Sequence, residues 1–114
     1  MNLNVEKILI IGLGMIGSSI ALASKSKGIK VYGFDKSNDC TNEALEKNII
    51  DSKVESILDI NSKDFVKKVD LIIVAVPPKQ TLDVLNDLKD IWNTDVTITE
   101  TSSVKNHIKL DDAS

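Results

Sequence analysis

Three glycines near the N-terminus have the spacing of a loop that binds phosphate groups. The segment Gly12-Leu13-Gly14-Met15-Ile16-Gly17 follows an apolar run and opens a run with helical periodicity. In such a loop the first glycine permits a tight turn, the second lets a pyrophosphate approach the backbone, and the third lets the helix pack closely on a sheet. Unpaired amides at the helix start then bind the anion. The alternative is a strand-to-helix turn without a ligand.

An acidic residue stands where a bound dinucleotide would present its adenosine ribose. Asp35 ends the next apolar run and lies 23 positions after Gly12, close to the ~20 expected of a ribose-binding acid. Its carboxylate can accept hydrogen bonds from both ribose hydroxyls and would repel a 2′-phosphate. The adjacent Lys36 weakens that preference, because its ammonium group can pair with a phosphate. The pattern favours NAD over NADP; the alternative for Asp35 is a helix-capping or solvated acid.

Two further segments follow predicted strands at the same edge of the sheet. Val76-Pro77-Pro78 ends the fourth strand, where a rigid turn could line the nicotinamide pocket or could only begin a helix. After the fifth strand, a hydroxyl of residues 100–105, Ser103 among them, could meet the cofactor or a substrate hydroxyl, or Ser103 could only cap the next helix. We expect His107, the single histidine, at the surface, since no acid partner is set by its spacing.

These segments require a parallel sheet with helices on both faces. Strands alternate with helices along the chain, which predicts an α/β, Rossmann-type doubly wound domain over residues 1–114 with five strands in the order 3-2-1-4-5. The predicted strands cover residues 7–12, 30–35, part of 54–60, 71–76 and 95–100. The predicted helices cover residues 15–27, 38–47, 61–68, 78–92 and a segment from 104. The residues predicted to face inward on the helices are Ile16, Ile20, Ala23, Ser24, Cys40, Ala44, Leu45, Leu82, Leu85, Leu88 or Lys89, and Trp92.

Composition argues against several other functions. All 14 cationic residues are lysines, against 17 acidic residues, and the formal net charge of the 114-residue chain is -3. No positive patch of the kind that holds nucleic acid is present in the sequence. The single cysteine and single histidine do not supply a structural metal site. An uncharged run over 8–23 leaves a secretory signal as an alternative, but its glycines favour a cytoplasmic protein without a membrane partner.

Four segments, taken in order along the chain, resemble the prephenate dehydrogenases of tyrosine biosynthesis. They are residues 12–21, Gly33-Phe34-Asp35, residues 69–77 and Ser103-Val104-Lys105. The resemblance implies an NAD(P)-dependent oxidative decarboxylation of prephenate to 4-hydroxyphenylpyruvate. It also implies cofactor contacts at the three glycines and Asp35, and a catalytic contact of Ser103 with the substrate hydroxyl.

The resemblance further implies that this sequence is the cofactor half of the enzyme. In that family the catalytic histidine, the arginines that hold the substrate carboxylates and the helical dimerisation domain correspond to positions beyond Ser114. Glu100 stands where the family usually has aspartate, so its role stays open. We expect dinucleotide binding with little turnover, prephenate binding only with a second domain or subunit, and a possible homodimer. The alternatives are another β-hydroxyacid or arogenate dehydrogenase, and a non-catalytic NADH-binding module.

Overall fold

The described part of the chain is one parallel sheet with helices on both faces. The computed structural model describes residues 5–56, 69–88 and 96–101. Its strands are β1 (Lys7–Ile11), β2 (Lys30–Phe34), β3 (Ser52–Lys53), β4 (Leu71–Val74) and β5 (Thr97–Glu100). Its helices are α1 (Met15–Ser26), α2 (Asn38–Glu46) and α3 (Pro78–Asp87). The order β3-β2-β1-β4-β5 confirms the predicted doubly wound arrangement.

Strand β1 occupies the centre of the sheet because four apolar residues follow one another in it. Ile8 and Ile10 belong to the core on one face of the sheet, and Leu9 and Ile11 belong to the core on the other. This alternation follows from the two-residue period of a strand. All four side chains are at most 2% exposed. Such a strand is stable only between two neighbours, and β1 pairs with β2 and β4.

Helix α1 packs on the sheet through its smallest residues. Gly17 and Ala21 are buried, and Ile20 packs against the core as predicted. Ile16 and Ala23, also predicted to face inward, are exposed. The prediction was wrong because the helix approaches the loop before it so closely that only a glycine fits at the contact. The inward face is therefore centred on positions 17 and 21, one helical turn apart.

Helix α2 begins where the sequence predicts, but its inward face is rotated. The Ser37 side chain caps it by accepting a hydrogen bond from the Cys40 amide at 3.3 Å. Thr41 and Ala44 are buried, whereas Cys40 and Leu45 are exposed. The prediction of Cys40 and Leu45 as inward residues was wrong. The buried face includes a threonine, since the Thr41 hydroxyl is satisfied by the Ser37 carbonyl at 3.2 Å.

Helix α3 shows the same kind of departure. Leu88 is buried and Leu85 packs against the same core, as predicted, and Val84 is buried beside them. Leu82 is 68% exposed and was wrongly predicted to face inward. Residues four apart share a face, so the pair at 84 and 88 excludes position 82 from it. Strand β3 also lies earlier than the predicted 54–60. The predicted helices at 61–68 and from 104, and Trp92, lie outside the described residues.

Candidate functional site

A cleft of about 600 Å³ opens at the carboxyl ends of the central strands. The chain leaves β1 toward β2 and β3 and later returns to the other side of β1 as β4. The loops after β1 and β4 therefore diverge and leave a crevice between them. Ligands of doubly wound sheets bind in such a crevice. Eight predicted site residues line it: Gly12, Gly14, Met15, Ile16, Asp35, Lys36, Val76 and Pro77.

The other predicted site residues lie elsewhere. Leu13 and Gly17 belong to the glycine loop, but they are buried and do not line the cleft. Ser103 lies outside the described residues. Thr101, in the segment predicted to reach this edge, lines the cleft, and sequence reasoning missed three further polar residues there, namely Ser37, Gln80 and Asp87. For Gln80 and Asp87 a signal existed, because they share a helical face with the buried Val84. The spacing of the leucines pointed to the face of Leu82 instead.

The fold itself requires two glycines of the loop, whether or not a ligand binds. Gly12 has a φ of +100°, and a Cβ at this position would lie 2.7 Å from the carbonyl oxygen of Ala75. A Cβ at Gly17 would overlap the carbonyl oxygen of Gly12. The first contact joins the turn after β1 to the loop after β4, and the second joins α1 to the turn. These glycines let the three segments meet at one edge of the sheet.

Gly14 differs, because neither the fold nor the backbone needs a glycine there. It caps α1 in an extended conformation with φ -72° and ψ -162°, which any residue can adopt. A Cβ built at Gly14 meets no atom within 4 Å. The open space adjoins the first-turn amides of α1, which have no acceptor inside the helix. A diphosphate fits this position, since backbone amides and the helix dipole bind anions in a chain without arginine.

Asp35 connects the two loops that border the cleft on its β2 side. Its Oδ2 accepts a hydrogen bond from the Leu13 amide at 2.7 Å, and its Oδ1 accepts one from the Ser37 amide at 2.9 Å. The side chain is half-buried at the end of β2. A carboxylate has about four lone-pair positions, so both oxygens keep capacity for ribose hydroxyls. Helix α2 itself is capped by Ser37 rather than by Asp35.

A second, smaller cavity lies on the outer side of the glycine loop, next to α2. It has a volume of about 370 Å³ and includes Met15 and Cys40. An ion pair borders it, with Lys47 Nζ 2.6 Å from Glu43 Oε1. The hydrogen bond and attraction between them hold the pKa of Glu43 below its usual value and raise the pKa of Lys47. Both side chains are well exposed, so the pair adds little to stability.

The binding groups of the main cleft are thus backbone amides and a few polar side chains. Within the described ranges, no three or more His, Cys, Asp and Glu residues are grouped so that they could hold a metal ion. In the same part of the chain, no helix has the length and apolar character needed to cross a membrane. The arrangement suits an anionic nucleotide that is held by its phosphates and ribose.

Comparison with known proteins identifies the family. The profile of the nucleotide-binding domain of prephenate dehydrogenase matches residues 20–111. The chain belongs to the prephenate dehydrogenase family. The profile match starts just after the glycine loop, so the loop and the family match are separate observations.

Two curated prephenate dehydrogenases show how much of such an enzyme this chain represents. The chain is 41% identical over 110 residues to the Lactococcus lactis prephenate dehydrogenase, and this match covers 90% of this chain and 28% of the relative. It is 38% identical over 90 residues to the Bacillus subtilis prephenate dehydrogenase, and that match covers 77% of this chain and 23% of the relative. The chain therefore spans about a quarter of the length of these oxidoreductases and corresponds to their nucleotide-binding part.

A solved prephenate dehydrogenase has the same fold over most of this chain. The crystal structure of the A. aeolicus enzyme in complex with hydroxyphenyl propionate and NAD+ superposes with a TM-score of 0.76 and 27% identity. The match covers 89% of this chain and 35% of that one. The Rossmann-type sheet described above is therefore the fold of a prephenate dehydrogenase cofactor domain.

Proposed function

We propose that this chain binds NAD as the cofactor domain of an enzyme that oxidises prephenate. The observation that carries the proposal is the open space at Gly14 beside the first-turn amides of α1, with the Asp35 carboxylate across the same cleft. Folding does not require a glycine at this position. The glycine is explained if a ligand, here a diphosphate, approaches the protein backbone closely. The NAD+ bound in the A. aeolicus relative supports the choice of nucleotide.

In this proposal each part of the cleft holds one part of the dinucleotide. The amides at the start of α1 bind the diphosphate, and Asp35 accepts hydrogen bonds from the adenosine ribose. Val76 and Pro77, at the end of β4, exclude water beside the nicotinamide. NAD, when bound, supplies the acceptor for a hydride. The protein's contribution is to hold that acceptor at the switch point of the sheet.

The reaction proposed for the whole enzyme is an oxidative decarboxylation. Prephenate loses a hydride from the ring carbon that bears its hydroxyl, and the hydroxyl proton is released as the ketone forms. Carbon dioxide then leaves, its bonding electrons pass through the ring to the ketone oxygen, and that oxygen takes up a proton as the ring becomes aromatic in 4-hydroxyphenylpyruvate. We assign the contact with the substrate hydroxyl to Ser103, on the family resemblance. The same proposal includes a cytoplasmic place in tyrosine biosynthesis. It also includes a homodimer, for which the exposed Leu82 side chain offers apolar surface.

Cofactor preference tests the role of Asp35. We expect the protein to bind NAD at least ~10-fold more tightly than NADP, since a carboxylate beside a 2′-phosphate costs more than about 1 kcal/mol at close range. Asp35→Ala should weaken NAD binding and reduce that ratio. Calorimetric titration with both nucleotides measures the change. Asp39→Ala, which removes an exposed carboxylate of α2 outside the cleft, should leave the ratio unchanged. Tighter binding of NADP by the unmodified protein would contradict the assignment.

A chimeric enzyme tests the proposed reaction. Residues 1–114 would replace the matching segment of the L. lactis prephenate dehydrogenase, and NADH formation would be followed by absorbance. We expect NAD-dependent oxidation of prephenate by the chimera and little by residues 1–114 alone, because the segment matches only 28% of that relative. 3-Hydroxyisobutyrate, 6-phosphogluconate and arogenate serve as competing substrates. A chimera that folds and binds NAD but leaves prephenate unchanged would exclude the proposed reaction.

A further inference from the structure

We infer that Asp35 has a second role: it holds the glycine loop in the conformation that binds the diphosphate. In this role Asp35 is a positioning residue that acts through the Leu13 backbone. The inference rests on the proposed nucleotide-binding function and goes beyond it, because it assigns Asp35 an effect on phosphate binding that does not pass through the ribose.

The loop is anchored at Leu13, the residue between its first two glycines. The Leu13 side chain is 6% exposed and packs into the core on the α1 and α2 side of the sheet. Its carbonyl accepts a hydrogen bond from the Ser18 hydroxyl at 3.1 Å. Its amide donates to Asp35 Oδ2 at 2.7 Å. Three contacts thus fix this residue, and the last of them comes from the end of the next strand.

The Asp35 carboxylate, which accepts the hydrogen bond from the Leu13 amide, is held in its orientation by a second hydrogen bond. Its other oxygen accepts the Ser37 amide at 2.9 Å, so the turn between β2 and α2 sets the direction of the side chain. A buried amide that loses its acceptor incurs a desolvation cost unless the chain moves to find water. Removal of the carboxylate should therefore let Leu13 shift. The adjoining Gly14 and the first amides of α1 would then leave their positions around the diphosphate.

Nucleotides without ribose hydroxyls separate this task from ribose binding. If Asp35 only contacts the ribose, a nucleotide that lacks the 2′ and 3′ hydroxyls should bind the unmodified protein and an Asp35 variant equally. It could even bind the variant more tightly, because a negative charge near the phosphates is gone. If Asp35 also holds the loop, the same nucleotide should bind the variant more weakly. The ribose-only role therefore predicts equal or tighter binding by the variant, and the positioning role predicts weaker binding.

The experiment compares ADP with 2′,3′-dideoxyadenosine diphosphate by calorimetry. We expect Asp35→Ala to weaken binding of the dideoxy nucleotide about tenfold, the equivalent of one charge-assisted hydrogen bond. Asp35→Asn should show a smaller loss, since its amide oxygen can still accept from the Leu13 amide. Asp39→Ala, which changes a carboxylate outside the cleft, should bind like the unmodified protein. Circular dichroism of each variant reports whether the fold is kept.

Hydrogen exchange at the Leu13 amide, measured by NMR without nucleotide, provides a readout that does not depend on affinity. Exchange should be slow in the unmodified protein and faster in Asp35→Ala. Dideoxy-nucleotide affinity equal to or above that of the unmodified protein would overturn the inference, as would unchanged or unprotected exchange at Leu13. In either case NAD binding by the unmodified protein would leave the proposed function standing. Failure of the unmodified protein to bind both NAD and ADP would instead reject the proposed function.

Discussion

Replacement of Gly17 by alanine is expected to destabilise the folded chain strongly. The new methyl group would overlap the Gly12 carbonyl oxygen and lie 3.3 Å from the Ile10 side chain. Because the first obstacle is backbone, relief requires α1 to move away from the sheet. Overpacking of this kind costs about 3 kcal/mol or more, a large part of the stability of a small domain. Urea unfolding monitored by circular dichroism measures the loss.

Gly14→Ala is the matched control for the Gly17 variant. Its methyl group points into open space, so we expect a loss of stability below about 1 kcal/mol, from the poorer capping residue alone. The two variants make the same chemical change three residues apart in one loop. If Gly17→Ala unfolds at the urea concentration of the unmodified protein, then α1 does not contact the turn at Gly12 as closely as the structure indicates.

Gly14→Val is expected to keep the fold and to lose nucleotide binding. Valine tolerates the extended backbone of this position. Its branched side chain would occupy the space beside the α1 amides where we place the diphosphate. We expect NAD affinity to fall on the order of 100-fold, equivalent to about 2.7 kcal/mol of lost phosphate contacts. Calorimetric titration measures the affinity, and the urea midpoint verifies that the protein is folded.

A valine elsewhere on the same helix serves as the control for the Gly14 variant. Ala23 is exposed and outside the cleft, so Ala23→Val should change NAD affinity little while it adds the same type of side chain to α1. Unchanged NAD binding by Gly14→Val would mean that the diphosphate lies elsewhere. Together, the glycine variants assign one residue of the loop to packing and another to the ligand.

The position of the cleft could be predicted from the sequence, but the inward faces of the helices could not. Consecutive apolar residues and the glycine spacing are local patterns, and they indicated β1, α1 and the order of the strands. The inward faces of α2 and α3 depend on how each helix is rotated about its own axis. Cys40 and Leu82 are apolar enough to be buried, yet both are exposed. Thr41 and Val84 take the buried positions because the sheet lies on their side.

The sequence by itself determined the parallel α/β architecture, the glycine loop after β1 and the acidic residue after β2. Each depends on residue types within one short segment, whose period and conformational limits act locally. Only the tertiary structure decided that the Asp35 carboxylate accepts a hydrogen bond from the Leu13 amide. That contact requires Ile11 to lie opposite Phe34 in the register of β1 and β2, which places two loop residues 22 positions apart side by side. Register depends on how the side chains of both strands pack in the sheet, so the pattern of one segment alone does not set it.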